Sequence, residues 1–381
     1  MEHQELAGWL RLLLTPGIGN TSTRKLLAAL GLPGSVFAQS HAALCNLVSP
    51  AQAAALQREP RGLAALLEST WNWLHADPAS RRILTLGDAL YPQHLLQTED
   101  PPLLLYAMGM PSAWADNLLN AASTSCLAVV GSRNPSPQGA ANSREFARTL
   151  AEAGLTIVSG MALGVDGAAH EGALEGAAPG RLATVAVVGT GLDRVYPNQH
   201  RNLAYRIAQR GLLLSEFPLG TPPLAQNFPM RNRIISGLSR GTLVVEAALQ
   251  SGSLITARQA AEQGREVFAV PGSIHSAQSH GCHALIKQGA KLVESAQDIL
   301  EELGPSSPEY MPAYPIASTA NADGEEPALL QALGHDPVGL DALQARTGLP
   351  TPELLAGLMT LELQGLVARR PGGLFQRMGR A

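Results

Sequence analysis

The chain has 381 residues, of which 45% are hydrophobic and 15% charged, and its formal net charge is -4. This length predicts two or three domains, one of them with a substantial core. The small acidic excess gives no general attraction for nucleic acid, so any polyanion site must be a local patch. The longest apolar stretches, such as 182–188, fall far short of the roughly 20 residues that a membrane helix needs. We therefore expect no membrane contact.

The cysteines and the first residues bear on the compartment. Cys45, Cys126 and Cys282 are widely spaced and odd in number, which suits a reducing cytoplasm and gives no metal-site spacing. The sequence that follows Met1 lacks a basic region leading into an apolar core, so we expect no secretory signal. We predict a cytoplasmic protein with buried structural thiols and with neither a metal nor a cofactor.

Residues 1–80 predict a small helical domain of the SAM or helix-hairpin-helix type. Leucines at helical spacing precede a break at Thr15–Asn20, and the helical pattern resumes over Thr21–Leu30. The break contains a Gly-x-Gly turn, whose amides could hold a DNA phosphate. Arg24 and Lys25 support that interpretation, and a module that serves packing alone is the alternative.

Residues 81–304 alternate short apolar runs with helical stretches. Each run stops at glycine, serine, proline or a charged residue, and the runs are Leu127–Val130, Leu155–Val158, Thr184–Val188, Leu212–Leu214, Leu243–Val245 and Val267–Val270. Uninterrupted apolar strands that alternate with helices predict an α/β fold, here an extended Rossmann-like, doubly wound, mainly parallel sheet. The stretch 84–106 is interpreted as a proline-punctuated connection into this sheet. Ligands of such sheets bind outside the carboxyl ends of the strands.

Residues 305–325 have the composition of a flexible linker, and residues 326–381 predict a winged-helix-like domain. Its predicted elements are the helices Pro327–Leu333, Leu340–Thr347 and Pro352–Leu363 and the hairpin Leu366–Phe375. The third helix has no lysine or arginine and carries two glutamates, so it is poorly suited to reading bases. Contact with a protein, contact with phosphates through Arg369, Arg370 and Arg377, and structural packing remain open.

The loops at the strand ends carry amides, hydroxyls and guanidinium groups, which are the groups that hold phosphate. We predict that Arg133, Arg231, Arg233 and Arg201 converge on one edge of the sheet, with the Arg-Asn-Arg run at the opening of a short helix. The full set of candidate phosphate-binding residues is Gly131, Ser132, Arg133, Ser159, Gly160, Arg201, Arg231, Asn232, Arg233, Ser251, Gly252 and Ser253.

A catalytic function has less support in the sequence than phosphate binding. Asp166 and His170 share one face of a predicted helix, but Asp166 also suits a helix cap. No P-loop is present, and Arg194 replaces the third glycine of a dinucleotide fingerprint. We therefore predict a protein that is not an enzyme. The alternative is a Rossmann-like nucleotide phosphoribohydrolase, or another nucleotide-binding enzyme, with Glu246 as an acid, although the usual Pro-Gly-Gly-x-Gly-Thr-x-x-Glu run is missing. An interaction scaffold whose active part is the C-terminal unit is a third possibility.

A series of motifs in the middle of the chain resembles the DprA family, the bacterial DNA-processing proteins of natural transformation. They include Gly131–Arg133, Ser159–Asp166, Gly189–Asp193 with Tyr196-Pro197, Ser215–Pro218, Phe228–Ser239, Val245–Ala247 with Ser251–Thr256, and Val270–Gly272. The resemblance runs through roughly residues 85–300, and the Arg-Asn-Arg-Ile-Ile-Ser-Gly-Leu-Ser block is its most specific part.

This resemblance implies a Rossmann-like domain that binds single-stranded DNA without regard to sequence and loads the RecA recombinase onto incoming strands. Arg133 would hold a backbone phosphate, with Arg231 and Arg233 nearby. After Tyr196-Pro197 the family pattern implies a basic residue, and here Arg201 follows Asn198-Gln199-His200. The resemblance further implies a homodimer formed through about 283–293, with contacts from Leu285, Ile286 and Val293.

Overall fold

The computed structural model describes residues 1–121, 125–304, 328–334, 337–370 and 372–378. The predicted linker at 305–325 lies outside the described residues. In the described part of the chain, no helix is both long enough and apolar enough to cross a bilayer. All three cysteines are free thiols, and Cys126 and Cys282 are buried as expected, whereas Cys45 is only half-buried.

The N-terminal unit consists of helices that pack against the sheet that follows. They are α1 (His3–Leu14), α2 (Asn20–Leu30), α3 (Pro33–Phe37), α4 (His41–Cys45), α5 (Pro50–Leu56) and α6 (Leu63–Ala76). Leu6, Trp9 and Leu10 of α1 belong to the same buried cluster as the sheet residue Tyr106, whose hydroxyl lies 3.3 Å from Thr70 of α6. This unit therefore shares its core with the sheet.

The contacts of Arg24 test whether the predicted helix-hairpin-helix turn is free to bind a DNA phosphate. The turn between α1 and α2 is present, with Gly17 at φ 76°, a backbone conformation that favours glycine. The Arg24 guanidinium donates to the carbonyl of Glu99 at 2.6 Å, and Asn20 donates to Glu216 at 3.3 Å. These contacts tie the hairpin to the neighbouring domain, which favours the packing interpretation over a phosphate site.

The central sheet of the described residues has nine strands in the order β1-β2-β6-β5-β4-β3-β7-β8-β9. Its strands are β1 (Arg81–Thr85), β2 (Leu104–Gly109), β3 (Cys126–Val130), β4 (Thr156–Ser159), β5 (Thr184–Val187), β6 (Leu212–Ser215), β7 (Gly241–Val244), β8 (Glu266–Ala269) and β9 (Lys291–Leu292). All neighbours from β6 to β9 in this order pair in parallel. The mainly parallel, doubly wound fold predicted from the sequence is confirmed.

The interpretation of 84–106 as a connection is correct for 86–103 and wrong at both ends, which are strand. β1 pairs with β2, and β2 pairs with β6, both in antiparallel fashion, so this region supplies two strands of the sheet. The prolines that suggested a connection, Pro92, Pro101 and Pro102, lie in the segment between the two strands, where no ladder hydrogen bond is required of them.

Helices cover both faces of the sheet. They are α7 (Gln93–Leu96), α8 (Ser112–Ala115), α9 (Leu118–Ala121), α10 (Pro137–Glu152), α11 (Val165–Gly176), α12 (Arg201–Arg210), α13 (Asn227–Leu238), α14 (Ser253–Glu262), α15 (His280–Lys287) and α16 (Ala296–Leu303). Successive residues of each strand point to opposite faces. In β3, Leu127 and Val129 join one buried cluster, while Ala128 and Val130 join the other. Burial on both faces explains why these strands are continuously apolar.

The C-terminal unit has the predicted winged-helix architecture. It contains α17 (Ala328–Leu333), α18 (Leu340–Thr347) and α19 (Thr351–Leu363), and a sheet ordered β10-β12-β11 from β10 (Val338–Gly339), β11 (Val367–Arg370) and β12 (Leu374–Arg377). Its buried residues, with Leu343, Leu358 and Phe375 among them, form a cluster of their own. The two-residue strand β10 was not predicted.

The separate C-terminal core generates a prediction for Leu358→Ala. Removing this buried side chain should destabilise the winged-helix unit by about 2–5 kcal/mol. The four tryptophans, Trp9, Trp71, Trp73 and Trp114, all lie outside this unit, so the unfolding transition followed by tryptophan fluorescence should not move. Limited proteolysis should meanwhile cleave after residue 328 more readily. A large shift of the fluorescence transition would contradict independent cores.

Candidate nucleic-acid interface

The candidate site lies where the chain changes direction across the sheet. From β3 the strands progress outward through β4 and β5 to β6, and the chain then returns to β7 on the other side of β3. Loops that leave two such strands diverge and open a crevice at their carboxyl ends. The Ser132 amide donates to the Glu246 carbonyl at 2.7 Å, which joins the loops after β3 and β7 at the base of this crevice.

A cavity of about 530 Å³ occupies the crevice. Residues from several of the predicted motifs line it, together with Gln278 of the loop before α15. The lining includes Gly131, Ser132, Arg133, Asn134, Asp166, Phe228, Arg231, Asn232, Gln250, Ser251, Gly252, Ser253 and Gln278. Eight of the twelve candidate residues named from the sequence therefore meet at one cavity, and the remaining four, Ser159, Gly160, Arg201 and Arg233, do not line it.

Glu246 fixes the loop that presents Arg133. Its carboxylate accepts from the Ser136 amide at 2.8 Å and from the Ser136 hydroxyl at 2.5 Å, beside the N-terminus of α10. A side chain at Gly139 would overlap this carboxylate, so the first turn of α10 passes close to it. Both carboxylate oxygens are thus engaged in a structural contact. The enzyme hypothesis took Glu246 as its acid, and the geometry gives that hypothesis no support.

Arg133 is the exposed cation of the cavity. Its guanidinium carbon lies 5.4 Å from the centre of the Phe228 ring, and that ring lies 5.7 Å from the ring of Tyr196. Within the described residues Arg133 makes no salt bridge. A cation held over an aromatic face and unpaired with a carboxylate is available to an anionic ligand.

Arg231 lies in the floor of the cavity and is 4% exposed. Its guanidinium donates to the carbonyl of Gly160, just after β4, at 2.6 Å, and to the carbonyl of Val187, the last residue of the neighbouring strand β5. Its Nη2 lies 4.0 Å from Asp166 Oδ2. Burial lowers the pKa of Arg231 to about 10, while Asp166 acts in the opposite direction, so the group remains charged at neutral pH. Arg231 therefore ties strand ends together and adds positive charge beneath the cavity.

Ser159 and Gly160 have supporting positions. Ser159 is fully buried and its hydroxyl donates to the Val129 carbonyl at 2.6 Å, which leaves it unavailable to a ligand. Gly160 provides the space for Arg231, because a Cβ at this position would overlap the guanidinium. The glycine is thus explained by close packing, and Ser159 is corrected from a phosphate contact to a contact between strands.

The expected convergence of four arginines is wrong for Arg233, whereas for Arg201 it stays a prediction. Arg233 pairs with Glu216 at 2.5 Å and with Asp100 at 3.1 Å, and its side chain is 15% exposed. Residues two apart on a helix point to nearly opposite sides, so Arg231 and Arg233 cannot face the same cavity. Arg201 begins α12 and is exposed. The Arg-Asn-Arg run also lies inside α13, four residues after its start at Asn227, and not at the helix opening.

The loop before α14 contributes hydroxyl groups. The hydroxyls of Ser251 and Ser253 lie 2.7 Å apart, and Ser251 Oγ accepts from the Ser253 amide at 3.3 Å. Asn232 lies within 3.5 Å of the Gly252 carbonyl, which joins α13 to this loop. Together with Gln278, which also lines the cavity, these groups offer neutral donors to phosphate oxygens beside the charge of Arg133.

Asp166 and His170 do not form a catalytic pair. His170 is fully buried, and its Nδ1 lies 2.7 Å from the Thr184 hydroxyl. Burial lowers the pKa of His170 to about 3, so the imidazole is neutral. Asp166 accepts from the Ala162 amide at 3.2 Å and faces Arg231, and burial raises the pKa of its carboxyl above the ordinary value. The two side chains therefore have separate structural partners.

The three predicted dimer contacts differ in their exposure in the structure. Val293 is fully buried in the core of the chain itself, so its assignment as an interface residue is wrong. Its neighbour Leu292 in β9 is 45% exposed, as expected when successive strand residues alternate between faces. Leu285 and Ile286 are half-buried against the core.

Two kinds of residue at the cavity were not predicted. No role is predicted for Phe228 or Tyr196, yet the Phe228 ring lines the cavity near the Arg133 guanidinium and lies 5.7 Å from the Tyr196 ring, and these two rings form an aromatic lip. Gln278 and Gln250 line the cavity and are not predicted either. An aromatic residue in a predicted loop at the carboxyl edge was the available signal for the first pair. Nothing in the sequence marked the glutamines.

The fold and the cavity define a Rossmann-like protein with a crevice lined by guanidinium, amide and hydroxyl groups at its switch point, followed by a winged-helix unit. The family model for DNA recombination-mediator protein A matches residues 82–304, and the model for the DprA winged helix domain matches residues 312–373. The chain belongs to the DprA family.

Known relatives agree with this assignment. Protein Smf of Escherichia coli is 44% identical over 321 residues, covering 83% of this chain and 82% of that protein. The X-ray structure of DNA processing protein A from Streptococcus pneumoniae superposes with a TM-score of 0.60 at 35% identity, covering 79% of this chain and 98% of that one. The Helicobacter pylori protein, described for its single-stranded DNA binding mode, has a TM-score of 0.51 at 32% identity, covering 58% and 95%.

The packing of Arg231 against Gly160 generates a matched pair of variants. Gly160→Ala should displace the guanidinium and lower the free energy of unfolding by about 1–3 kcal/mol. Gly252 lines the same cavity with helical dihedrals and no atom within 4 Å of an added Cβ, so Gly252→Ala should be neutral or slightly stabilising. Chemical denaturation of both variants measures the difference. Equal stabilities would refute the role of Gly160.

Proposed function

We propose that this protein binds single-stranded DNA without sequence preference and holds its sugar-phosphate backbone in the cavity at the switch point. The observation that carries the proposal is Arg133, an exposed guanidinium at the cavity with no salt bridge to a described residue. The H. pylori relative, described for binding single-stranded DNA, supports the same ligand for this chain. Binding would involve no chemical change in the DNA.

Phosphate contacts would supply most of the affinity. Arg133 offers a planar fork to phosphate oxygens, and Arg231 adds buried positive charge under the same cavity. The hydroxyls of Ser251 and Ser253 and the side chain of Asn232 would complete the contacts. None of these groups needs a particular base, and this accounts for binding without regard to sequence.

The aromatic lip favours an unpaired strand. The rings of Phe228 and Tyr196 lie 5.7 Å apart beside Arg133, and Tyr196 is 46% exposed. Bases of a single strand can stack on such rings, whereas bases of a duplex are already stacked on each other. The winged-helix unit adds no obvious duplex reader, because α19 carries Glu353 and Glu362 and no lysine or arginine.

We infer the biological role from membership of the DprA family. We propose that the protein loads RecA onto incoming strands in natural transformation, and that it does so in the cytoplasm as a homodimer. The family description as a recombination mediator supports the first part. The exposed Leu292 on the edge strand β9 and the half-buried Leu285 and Ile286 on α15 support pairing at that edge. Residues 1–80, 81–304 and 326–381 are proposed as the three domains, of which the first packs on the core of the second.

Arg133→Ala tests the DNA site. Affinity for single-stranded DNA should fall with salt at a log-log slope of about -0.7 per phosphate neutralised. Removing one phosphate contact should therefore reduce the magnitude of that slope by about 0.7. Fluorescence anisotropy of a labelled oligonucleotide at several salt concentrations measures the slope. An unchanged slope would exclude Arg133 from the interface.

Two further arginine variants serve as controls. Arg206 forms a surface pair with Glu171, so Arg206→Ala should change neither the slope nor the stability appreciably. Arg233→Ala removes the partner of the largely buried Glu216, so it should lower the free energy of unfolding while leaving the slope unchanged. A reduced slope in Arg233→Ala would show that the site extends beyond the cavity.

The loading role predicts an effect on RecA that depends on the DNA site. When this chain is present, RecA should assemble faster on single strands coated with single-strand-binding protein. The reason is that the chain would bind the strand and deliver RecA to it. Arg133→Ala should lose most of this acceleration, and Arg206→Ala should retain it. The DNA-dependent ATPase of RecA gives the rate. Intact DNA binding with no acceleration by the unaltered chain would refute loading and leave the DNA site standing.

A further inference from the structure

The third helix of the winged-helix unit, α19, is apolar on two sides. Leu354, Leu358 and Leu361 are buried in the C-terminal core. Leu355, Met359 and Leu363 lie outside it and are 44%, 63% and 82% exposed. An amphipathic helix of a soluble domain normally turns charged residues to solvent. The exposed side of α19 is therefore unexplained by the fold of the unit.

The exposed residues form a regular ridge. Leu355, Met359 and Leu363 follow one another at four-residue intervals, and at about 100° per residue they fall within a narrow sector of the helix surface. Pro352 and Ala356, which are also exposed, lie on the same side. This sector contains no charged side chain. The charged residues of α19, Glu353 and Glu362, lie at or beyond its borders.

Nucleic acid does not suit this face. Binding DNA requires cations to neutralise phosphates, and α19 supplies none. The nearest arginine before the helix, Arg346, donates to the Ala332 carbonyl at 3.0 Å. The nearest after it, Arg369, lies on the strand β11 over the ring of Phe375, at 5.8 Å. An apolar occupant fits the face better.

We propose that a second copy of this chain covers the ridge, with the two α19 helices packed antiparallel about Met359. A two-fold axis through Met359 places Leu355 against Leu363 of the other copy, and Leu363 against Leu355. Equal spacing on either side of Met359 makes the ridge complementary to itself, as a two-fold interface requires. Rows of residues four apart are also the ridges through which helices most often pack.

The charges are compatible with this pairing. In the antiparallel register Glu362 lies opposite Ala356 of the other copy, and Glu353 lies opposite Gly365. No carboxylate opposes another, so no like-charge repulsion is introduced at the ridge. The pairing face and its charges thus permit this register, and the register can be tested residue by residue.

The pair is expected to form when copies are already close. A helix of 13 residues is about 20 Å long, and three large side chains from each copy bury less than the roughly 1,200 Å² of a stable interface. A second link between the copies, such as the proposed contact at β9, would raise their effective concentration and favour the α19 pair. Covalent trapping is therefore the suitable measurement.

The test uses the full chain with Cys45→Ser as background, because Cys126 and Cys282 are buried. Met359→Cys should be joined to its counterpart by a short bismaleimide in most of the protein. Thr360→Cys is the matched control: Thr360 is exposed and adjacent in sequence but lies about 100° round the helix. It should be cross-linked at least several-fold less. Unchanged circular dichroism and unchanged resistance to limited proteolysis after residue 328 verify that the winged-helix unit of each variant is folded.

The register gives an independent check. Leu355→Cys and Leu363→Cys should each cross-link poorly alone and well when the two variants are mixed. Equal cross-linking of Met359→Cys and Thr360→Cys, or no gain on mixing, would overturn the proposal. Slow labelling of Met359→Cys by a monofunctional maleimide in dilute protein would also overturn it, because another segment of the same chain would then cover the ridge.

Discussion

The geometry of the site depends on a buried guanidinium. Arg231 donates to the carbonyls of Gly160 and Val187, which belong to the ends of neighbouring strands, and it faces the carboxylate of Asp166. Removing one partner from such a buried set would leave an uncompensated charge, which is strongly unfavourable. This requirement accounts for a glycine at position 160. It also fixes the orientation of α13, and hence the positions of Asn232 and Phe228 on the cavity.

The sequence was sufficient for the parallel part of the fold. Strands buried on both faces are continuously apolar and end abruptly at polar loops, so β3–β8 could be located to within about two residues. The antiparallel pair β1 and β2 was missed because prolines in the segment between them suggested an irregular connection. Strand β10 has two residues, Val338 and Gly339, and a segment this short has no periodicity to detect.

The loops that form the candidate site could be predicted from the sequence, but the side chains that point into the cavity could not. The loops that line the cavity were identified because carboxyl ends of parallel strands share one edge. Which arginines face that edge depends on where α13 begins, and the expected helix start was too late in the sequence. Arg233 was consequently placed with Arg231 although it pairs with Glu216. The predicted contact Val293 directly follows the exposed Leu292 of β9, and successive residues of an extended chain face opposite sides, so an error of one residue exchanges a buried side chain for an exposed one.

The anchoring of the loop at 131–136 affects how a ligand is received. Ser132 is tied to the Glu246 carbonyl, and Ser136 is tied to the Glu246 carboxylate, so one residue of the neighbouring strand end secures the loop on both sides of Arg133. The backbone of this loop therefore has little conformational freedom to lose when a ligand arrives. The entropic penalty of association should be confined largely to the rotamers of Arg133 itself, which is the advantage of a preorganised receptor.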